Sequence, residues 1–413
     1  MIGGAAVDLF TLRFLHLADN RPMLSKSDID TSHTEPIPQH DSRGYQPRQL
    51  VLLGAGHAHL SVLGQLAAHP LVGARINLVA PQPRQLYSSM VPGFVSGQYT
   101  LEDCTIHLDP LVRRAGIRWL TRSVRGLDAK TQTVMFDDAS SLHYDWLSVN
   151  TGPVQNRARI EQTMPGAREH ALFVRPMESF AALWPKVADM GNTTALRIAV
   201  VGAGAGGIEL AMAVRQRLPN AAITLLSGAM PAGASYAAKA QQLLLSALKV
   251  RRITLIQDTA TAISAKEVTL SAGARLACDV PLIAVGAQAP PWLENSGLAL
   301  DAQGFIAVNE FQRSTSHANV FAAGDVSSRQ DRPLARSGVY AVRAGPALAH
   351  NLAAVVAGQT LKAHQPPANS LNLLSCGDGQ AIASYGSHAA QGRWVWWLKR
   401  WIDGNFVKRF GEN

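Results

Sequence analysis

Two stretches of this chain are built to the same plan. Gln49–Leu53 is an apolar strand pattern that runs into Gly54 and Gly56 of VLLGAGHAHL, then into helical spacing over Leu60–Ala68 and a second strand pattern at Ile76–Val79. The order returns 148 residues on, from Gly54 to Gly202. Arg197–Val201 is a strand, Gly202, Gly204 and Gly207 complete a GxGxxG, Ile208–Leu218 is helical and Ile223–Leu226 is the next strand. A strand that turns tightly into a helix aims unsatisfied N–H groups and the positive end of the helix dipole at one point, where glycine lets a phosphate approach. The chain therefore carries two dinucleotide-type units.

The repetition continues downstream. Asp145 opens DWLSVNTG, which ends at Gly152, and Asp279 opens DVPLIAVG, which ends at Gly286, each glycine seven residues after its aspartate. A single glycine-rich turn is weak evidence, but two with matching downstream strands are much stronger. A third feature is NVFAAGDV at Asn319–Val326, a strand pattern ending in small residues, Gly324 and Asp325. Small residues let backbone approach a ligand, and a carboxylate accepts hydrogen bonds from hydroxyls; read alone, the segment is better taken as a strand followed by an ordinary Gly-Asp turn.

With 413 residues, 47% hydrophobic and 16% charged, the chain can bury two or three globular units. Its net charge of +9 and pI near 9.7 suit an anionic partner or simply a basic enzyme surface. The basic residues are scattered, with no nucleic-acid-binding module, so nucleic acid is not an expected partner. Cys104, Cys278 and Cys376 are widely spaced, which argues against a disulfide framework, a zinc ribbon and a local redox dithiol. His57 and His59, two apart on a helix, do not face one another, so no metal site is expected. Residues 1–47, rich in polar residues and proline from Asn20 onward, read as a disordered extension, with Met23 an alternative start. No apolar run is long enough for a membrane-spanning helix.

Together, GAGHAH, the strand ending at Thr151-Gly152, GAGAGGIE, the strand ending at Val285-Gly286 and FAAGDV resemble, in order, the FAD-dependent pyridine nucleotide-disulfide oxidoreductases. The similarity covers Arg48 to Val356. The absence of a dithiol points to the type 2 NADH dehydrogenase branch. GAGHAHLSVL, YSSMVPGFVSGQY (Tyr87–Tyr99) and SGVYAVRAGPALAHNL (Ser337–Leu352) are similar to the NADH-dehydrogenase-like flavoproteins associated with selenide water dikinase. The resemblance implies an α/β fold with two Rossmann-like domains, the second inserted in the first: FAD on 48–162 and 298–358, NAD(P)H on 163–297, and a C-terminal segment over 359–413.

By this resemblance the flavin site takes Gly54, Gly56, His57, Tyr87, Pro92, Thr151, Gly152, Gly324 and Asp325, and the helix from Ala341 to Asn351, with Val339 and Tyr340 before it, aims its N-terminus at the flavin. As ordinary structure, Val91-Pro92-Gly93 is simply a turn. The nucleotide site takes Gly202, Gly204, Gly207 and Gly286. His59, where close helix packing calls for Gly or Ala, predicts a helix slightly off its sheet. Ala80 replaces the acidic residue that ordinarily holds the adenosine ribose. Ser227 stands at the same point of the second unit with no Arg or Lys before Lys239, which favours NADH. Glu209 is either a dipole-favoured carboxylate in the first helical turn or, as the family implies, a catalytic group near the nicotinamide.

RWVWWLKRWIDGNFVKRF, from Arg393 to Phe410, holds four of the eight tryptophans. Helical projection places Trp394, Trp397, Leu398, Trp401 and Ile402 on one side and Arg393, Lys399, Arg400 and Asp403 opposite. That pattern suits a membrane interface, and equally a helix packed on the flavin domain or a second subunit. The expected activity is hydride transfer from NADH or NADPH to flavin, then electrons to a quinone, at the cytoplasmic membrane surface. A selenide water dikinase link and a homodimer are further expectations. The alternatives are a sulfide:quinone oxidoreductase-like enzyme, which needs a cysteine pair near the flavin, and a non-catalytic nucleotide sensor.

Overall fold

A computed structural model describes residues 48–411. The expected extension over residues 1–47 lies outside the described residues. Strands β1 (Arg48–Leu53), β2 (Ala74–Val79), β3 (Arg118–Leu120) and β4 (Trp146–Val149) join a later strand, Val320–Ala322, in a five-stranded sheet. Every pairing in it is parallel, with β1 between β2 and β4, β3 outside β2, and Val320–Ala322 outside β4. Parallel strands with both faces covered read as near-continuous apolar runs. Leu50–Leu53 accordingly have no exposure.

The second sheet repeats this order: β5 (Leu172–Phe173), β9 (Val280–Ile283), β6 (Arg197–Val201), β7 (Ala222–Leu226) and β8 (Thr254–Ile256), again all parallel. Each unit also carries a three-stranded antiparallel sheet, over 124–143 and 260–277. Because β10 (Val320–Ala322) completes the first sheet only after the second has formed, the second Rossmann-like unit is inserted in the first.

The repeated aspartates have the same task in both units. Asp145 Oδ2 accepts the Gln49 N–H at 2.6 Å and Asp279 Oδ2 accepts the Arg197 N–H at 2.9 Å. Each aspartate N–H returns a bond to the same residue's carbonyl. The carboxylate thus pins the start of the central strand to its neighbour.

Helix α1 (His57–Ala68) follows the first glycine turn, α2 (Val91–Val95) lies in the Tyr87–Tyr99 segment, and α3 (Ala205–Arg217) follows the second turn. Val91-Pro92-Gly93 is therefore helical, not a turn, with proline near the helix start where its missing N–H costs nothing. Helix α4 (Gly338–Val356) begins three residues before the expected Ala341. It packs on α1 so closely that a Cβ on Gly345 would stand 2.5 Å from the Ser61 side chain.

After α4 an antiparallel sheet, β11 (Asn372–Ser375), β12 (Ala381–Tyr385) and β13 (His388–Gly392), leads into α5 (Arg393–Phe410). This helix keeps Trp397 and Trp401 on the side opposite Lys399 and Asp403, as the projection has it, and shows which side faces inward. Lys399 and Asp403 are buried with Val395 and Phe410, whereas Trp397 and Trp401 remain 56% and 49% exposed. The inner face is set by an ion pair and aromatic contacts to the Tyr87 segment. Gly404 does not end the helix.

Candidate functional site

The first glycine turn is organised by a residue the motif reading passed over. Asn150, at the end of β4, accepts the N–H groups of Ala58 and His59 at 3.0 and 3.1 Å through Oδ1, and its Nδ2 donates to the Ala323 carbonyl at 2.6 Å. One side chain therefore fastens the start of α1, the end of β4 and the approach to Asp325. Gly56 N–H donates to the Asn150 carbonyl at 3.0 Å, and a Cβ on Gly56 would lie 2.5 Å from that oxygen. Gly54, at φ +88°, leaves no room for a Cβ against the Thr151 backbone. Thr151 thus meets the turn through its backbone, whereas a Cβ on Gly152 would meet nothing within 4 Å.

His59 is not a loose spacer. Its ring is fully buried, with Nδ1 2.5 Å from the Gly54 carbonyl and Nε2 2.8 Å from Ser148 Oγ. With Nδ1 donating to the carbonyl, Nε2 accepts from the serine hydroxyl. Burial holds the ring neutral, lowering its pKa to about 4 against the smaller opposing effect of the Gly54 bond. In the second unit the equivalent position is Gly207, where a Cβ would collide with the Gly202 carbonyl. Leu282 and Ala284 stand there in place of Ser148 and Asn150. The two turns thus reach one shape by different side-chain solutions.

Several polar groups converge around the first turn without protein partners. His57 Nε2 and Ser337 Oγ, the latter at the start of α4, are buried and unbonded. Burial raises the Asp325 carboxyl, while Arg175 and Arg336 pull it back. His57 is lowered to about 4, chiefly by burial and further by Arg175. Arg175, from the segment after β5, therefore faces both groups across the site. Gly324, at φ +71°, brings the Asp325 segment against Asn150 Nδ2 and Ala341. Tyr87 stacks on Phe406 of α5 at 4.4 Å, with the His57 ring edge-on at 5.3 Å. Val339 and Tyr340 occupy the first turn of α4 beside this cluster.

These residues fit FAD: a glycine cradle at a helix N-terminus, a free carboxylate for hydroxyls and orphaned donors around an aromatic wall. Ala80 offers no carboxylate for the adenosine ribose; its carbonyl is taken by the Trp119 indole N–H at 3.0 Å.

In the second turn Gly202, at φ +111°, packs on the Ala284–Val285 backbone, while a Cβ on Gly204 would meet nothing within 4 Å. The space above Gly204, at the helix N-cap, is where a pyrophosphate fits. A Cβ on Gly286 likewise meets nothing. Ser227 Oγ is buried and unpartnered at the ribose position. Glu209 lies beyond the first turn of α3, so the dipole account fails; it accepts the Ser375 N–H at 2.7 Å, and burial raises its carboxyl to about 7.

All three cysteines are free and buried, in separate hydrophobic clusters: Cys104 with Tyr87 and Met90, Cys278 beside the second sheet and Cys376 at the end of β11. No dithiol stands beside the proposed flavin position.

Residues 48–353 match the pyridine nucleotide-disulphide oxidoreductase family, and the chain belongs to that family. It is an oxidoreductase of the class that works with FAD and a pyridine nucleotide. Demethylphylloquinone reductase NdbB of Synechocystis sp. is 26% identical over 303 residues, 69% of this chain and 73% of that protein. The fold is similar to that of NDH2 from Plasmodium falciparum, solved with NADH, at a TM-score of 0.72 and 12% identity, covering 88% of this chain and 97% of that one. It is also similar to the sulfide:quinone oxidoreductase of Aquifex aeolicus, at a TM-score of 0.73 and 16% identity, covering 88% and 91%.

Proposed function

We propose that this member of the family moves hydride from NADH to FAD held on the first unit and then passes the electrons to a quinone. The single observation that carries the reading is the meeting of Asn150, His57, Asp325 and the start of α4 around one glycine turn, with an open second turn at Gly204. Bound FAD supplies the two-electron chemistry, since flavins take hydride from nicotinamide and reduce a second substrate. The first unit comprises 48–162 and 298–358, the nucleotide unit 163–297, and the C-terminal segment 359–413.

In this account Gly54 and Gly56 admit the FAD pyrophosphate, Asp325 accepts flavin-side hydroxyls, and Tyr87 with Pro92 walls the ring. The positive end of α4 faces the site, where it stabilises negative charge. Gly202, Gly204, Gly207 and Gly286 seat the nucleotide, and Ser227, neutral and without a nearby cation, favours NADH over NADPH. Quinone as acceptor is supported by the NdbB relative, a demethylphylloquinone reductase.

Among the described residues no helix is long and apolar enough to cross a membrane. The outer face of α5 suits a membrane surface instead: Trp397 and Trp401 are exposed, Arg400 lies over the Trp396 and Trp397 rings, and Arg393, Lys408 and Arg409 are exposed beside them. Anaerobic mixing with NADH, followed by a soluble quinone, tests the activity. Bleaching of the flavin and its recovery with quinone are expected; bleaching without recovery refutes the acceptor.

A further inference from the structure

The second unit is an insertion, so the chain leaves the first unit after β4 and comes back to it after β9. The two crossing segments are tied to each other. Val154 and Gln288 exchange a pair of backbone hydrogen bonds, each 2.9 Å. Gln288 Oε1 also accepts the Asn156 N–H at 2.8 Å.

Gln155 adds a second tie, made by its side chain and buried at 7% exposure. Its Nε2 donates to the Ile283 carbonyl at 2.8 Å and, at a longer 3.5 Å, to the Val285 carbonyl, while its Oε1 accepts the Arg175 N–H at 2.9 Å. An amide carries two donor N–H groups and an acceptor oxygen in one plane, so a single side chain serves three points of backbone. The Ile283 carbonyl also takes the Val174 N–H at 3.2 Å, which draws the end of β5 into the same junction.

The places joined are the frames of the two glycine turns. Asn150, which fastens the first turn, stands five residues before Gln155 on the same segment. On the other side, Ile283–Val285 is the strand end on which Gly202 of the second turn packs, so closely that a Cβ there would lie 2.6 Å from the Ala284 carbonyl. The backbone bridge at Val154 holds the crossing segments together, but it makes no bond to that strand end. Gln155 does.

We propose that Gln155 is a positioning residue for hydride transfer, fixing the nucleotide-seating end of β9 against the segment that leaves the first turn. The inference rests on the reading above, in which NADH on the second unit reduces FAD on the first. Transfer needs the reacting atoms about 3–3.5 Å apart, and a misplacement of about 1 Å costs roughly a hundredfold in rate. Without the amide the Val154–Gln288 bridge is left as a hinge, and a small rotation there moves one seat against the other.

The test uses the full-length, FAD-loaded enzyme and Gln155→Met, which keeps the side chain's length and removes its hydrogen bonds. Anaerobic stopped-flow mixing with NADH separates nucleotide binding from the limiting rate of flavin reduction. That rate is expected to fall at least about tenfold while the NADH dissociation constant changes less than about threefold, with a primary isotope effect retained for NADH deuterated at the nicotinamide C4. Dithionite, which needs no nucleotide seat, should reduce both proteins equally fast. A purely structural role would lower FAD content or the urea midpoint and leave the limiting rate of the loaded enzyme unchanged; that result, or equal slowing with dithionite, overturns the proposal. Should Gln155→Met not load FAD, Gln288→Met keeps the backbone bridge and loses one side-chain bond; a fall of about threefold in the limiting rate is expected, and an unchanged rate overturns the proposal. Amide hydrogen exchange of the wild-type holoenzyme gives a readout independent of turnover. The Arg175 N–H should exchange slowly, and exchange as fast as that of an exposed loop overturns the proposal. Failure of NADH to bleach the wild-type flavin would sink the hydride reading separately, with the exchange result unchanged.

Discussion

Asn150→Ala is the substitution that most sharply tests how the first site is built. It removes one acceptor serving two N–H groups, on Ala58 and His59, and one donor serving the Ala323 carbonyl. All three are left without their partner in buried backbone. A buried group stripped of its hydrogen bond costs about 1–3 kcal/mol, so three orphans come to roughly 3–6 kcal/mol when some relaxation is allowed. Loss of a helix N-cap alone would account for only about 1 kcal/mol. Urea unfolding of the FAD-free protein, followed by tryptophan fluorescence, measures the difference. A loss below about 1 kcal/mol would refute the claim that this side chain fastens three segments. Asn150→Asp separates folding from binding, since it keeps an acceptor for Ala58 and His59 but loses the donor to Ala323. It also places a negative charge beside the FAD pyrophosphate. Most of the stability is expected to survive while FAD affinity falls by at least about tenfold, equivalent to roughly 1.4 kcal/mol.

Acid should weaken the fold through His59. Its native pKa of about 4 lies below the unfolded value of 6.5, so the unfolded chain binds more protons between them. The contribution is complete above pH 6.5 and declines as pH falls toward 4, amounting to about 3 kcal/mol. Urea midpoints against pH should therefore fall less steeply in His59→Gln than in the wild type; equal slopes would contradict the assignment. On vesicles containing anionic lipid, Trp397→Ala with Trp401→Ala should reduce sedimentation of the protein at least several-fold, and binding should weaken with salt. Wild-type protein that stays in the supernatant would remove the membrane reading.

The glycine turns, their order and the paired aspartates were legible because they are local patterns with a fixed spacing. Asp145 and Asp279 each act on a residue at the start of the strand beside them, so their repetition carried the repetition of the fold. Asn150 and the His59–Ser148 bond were not legible in the same way. Their partners lie about ninety residues away in sequence, and a motif that ends at Thr151-Gly152 gives no reason to single out the residue before it. An asparagine at the buried end of an apolar strand was the available signal. On α5 the projection separated the tryptophan side from that of Lys399 and Asp403 without showing which one faces the core, and isolated charges ordinarily avoid burial. Lys399 and Asp403 escape that rule by pairing with one another and with Ser89, a contact no helical periodicity contains. Glu209 went the other way: its neighbour in sequence is a helix start, but its hydrogen bond comes from Ser375 across the fold.

The central claim, two glycine turns with FAD on the first and the nicotinamide nucleotide on the second, is tested most directly by stopped-flow flavin absorbance in the wild type and in Gly204→Val. A Cβ at Gly204 meets no protein atom, so the variant should fold normally and fill only the space needed by the nucleotide. The account predicts that NADH bleaches the wild-type flavin, whereas Gly204→Val retains its flavin and is not bleached. A wild type that neither NADH nor NADPH reduces, or a Gly204→Val protein that loses FAD, would contradict it.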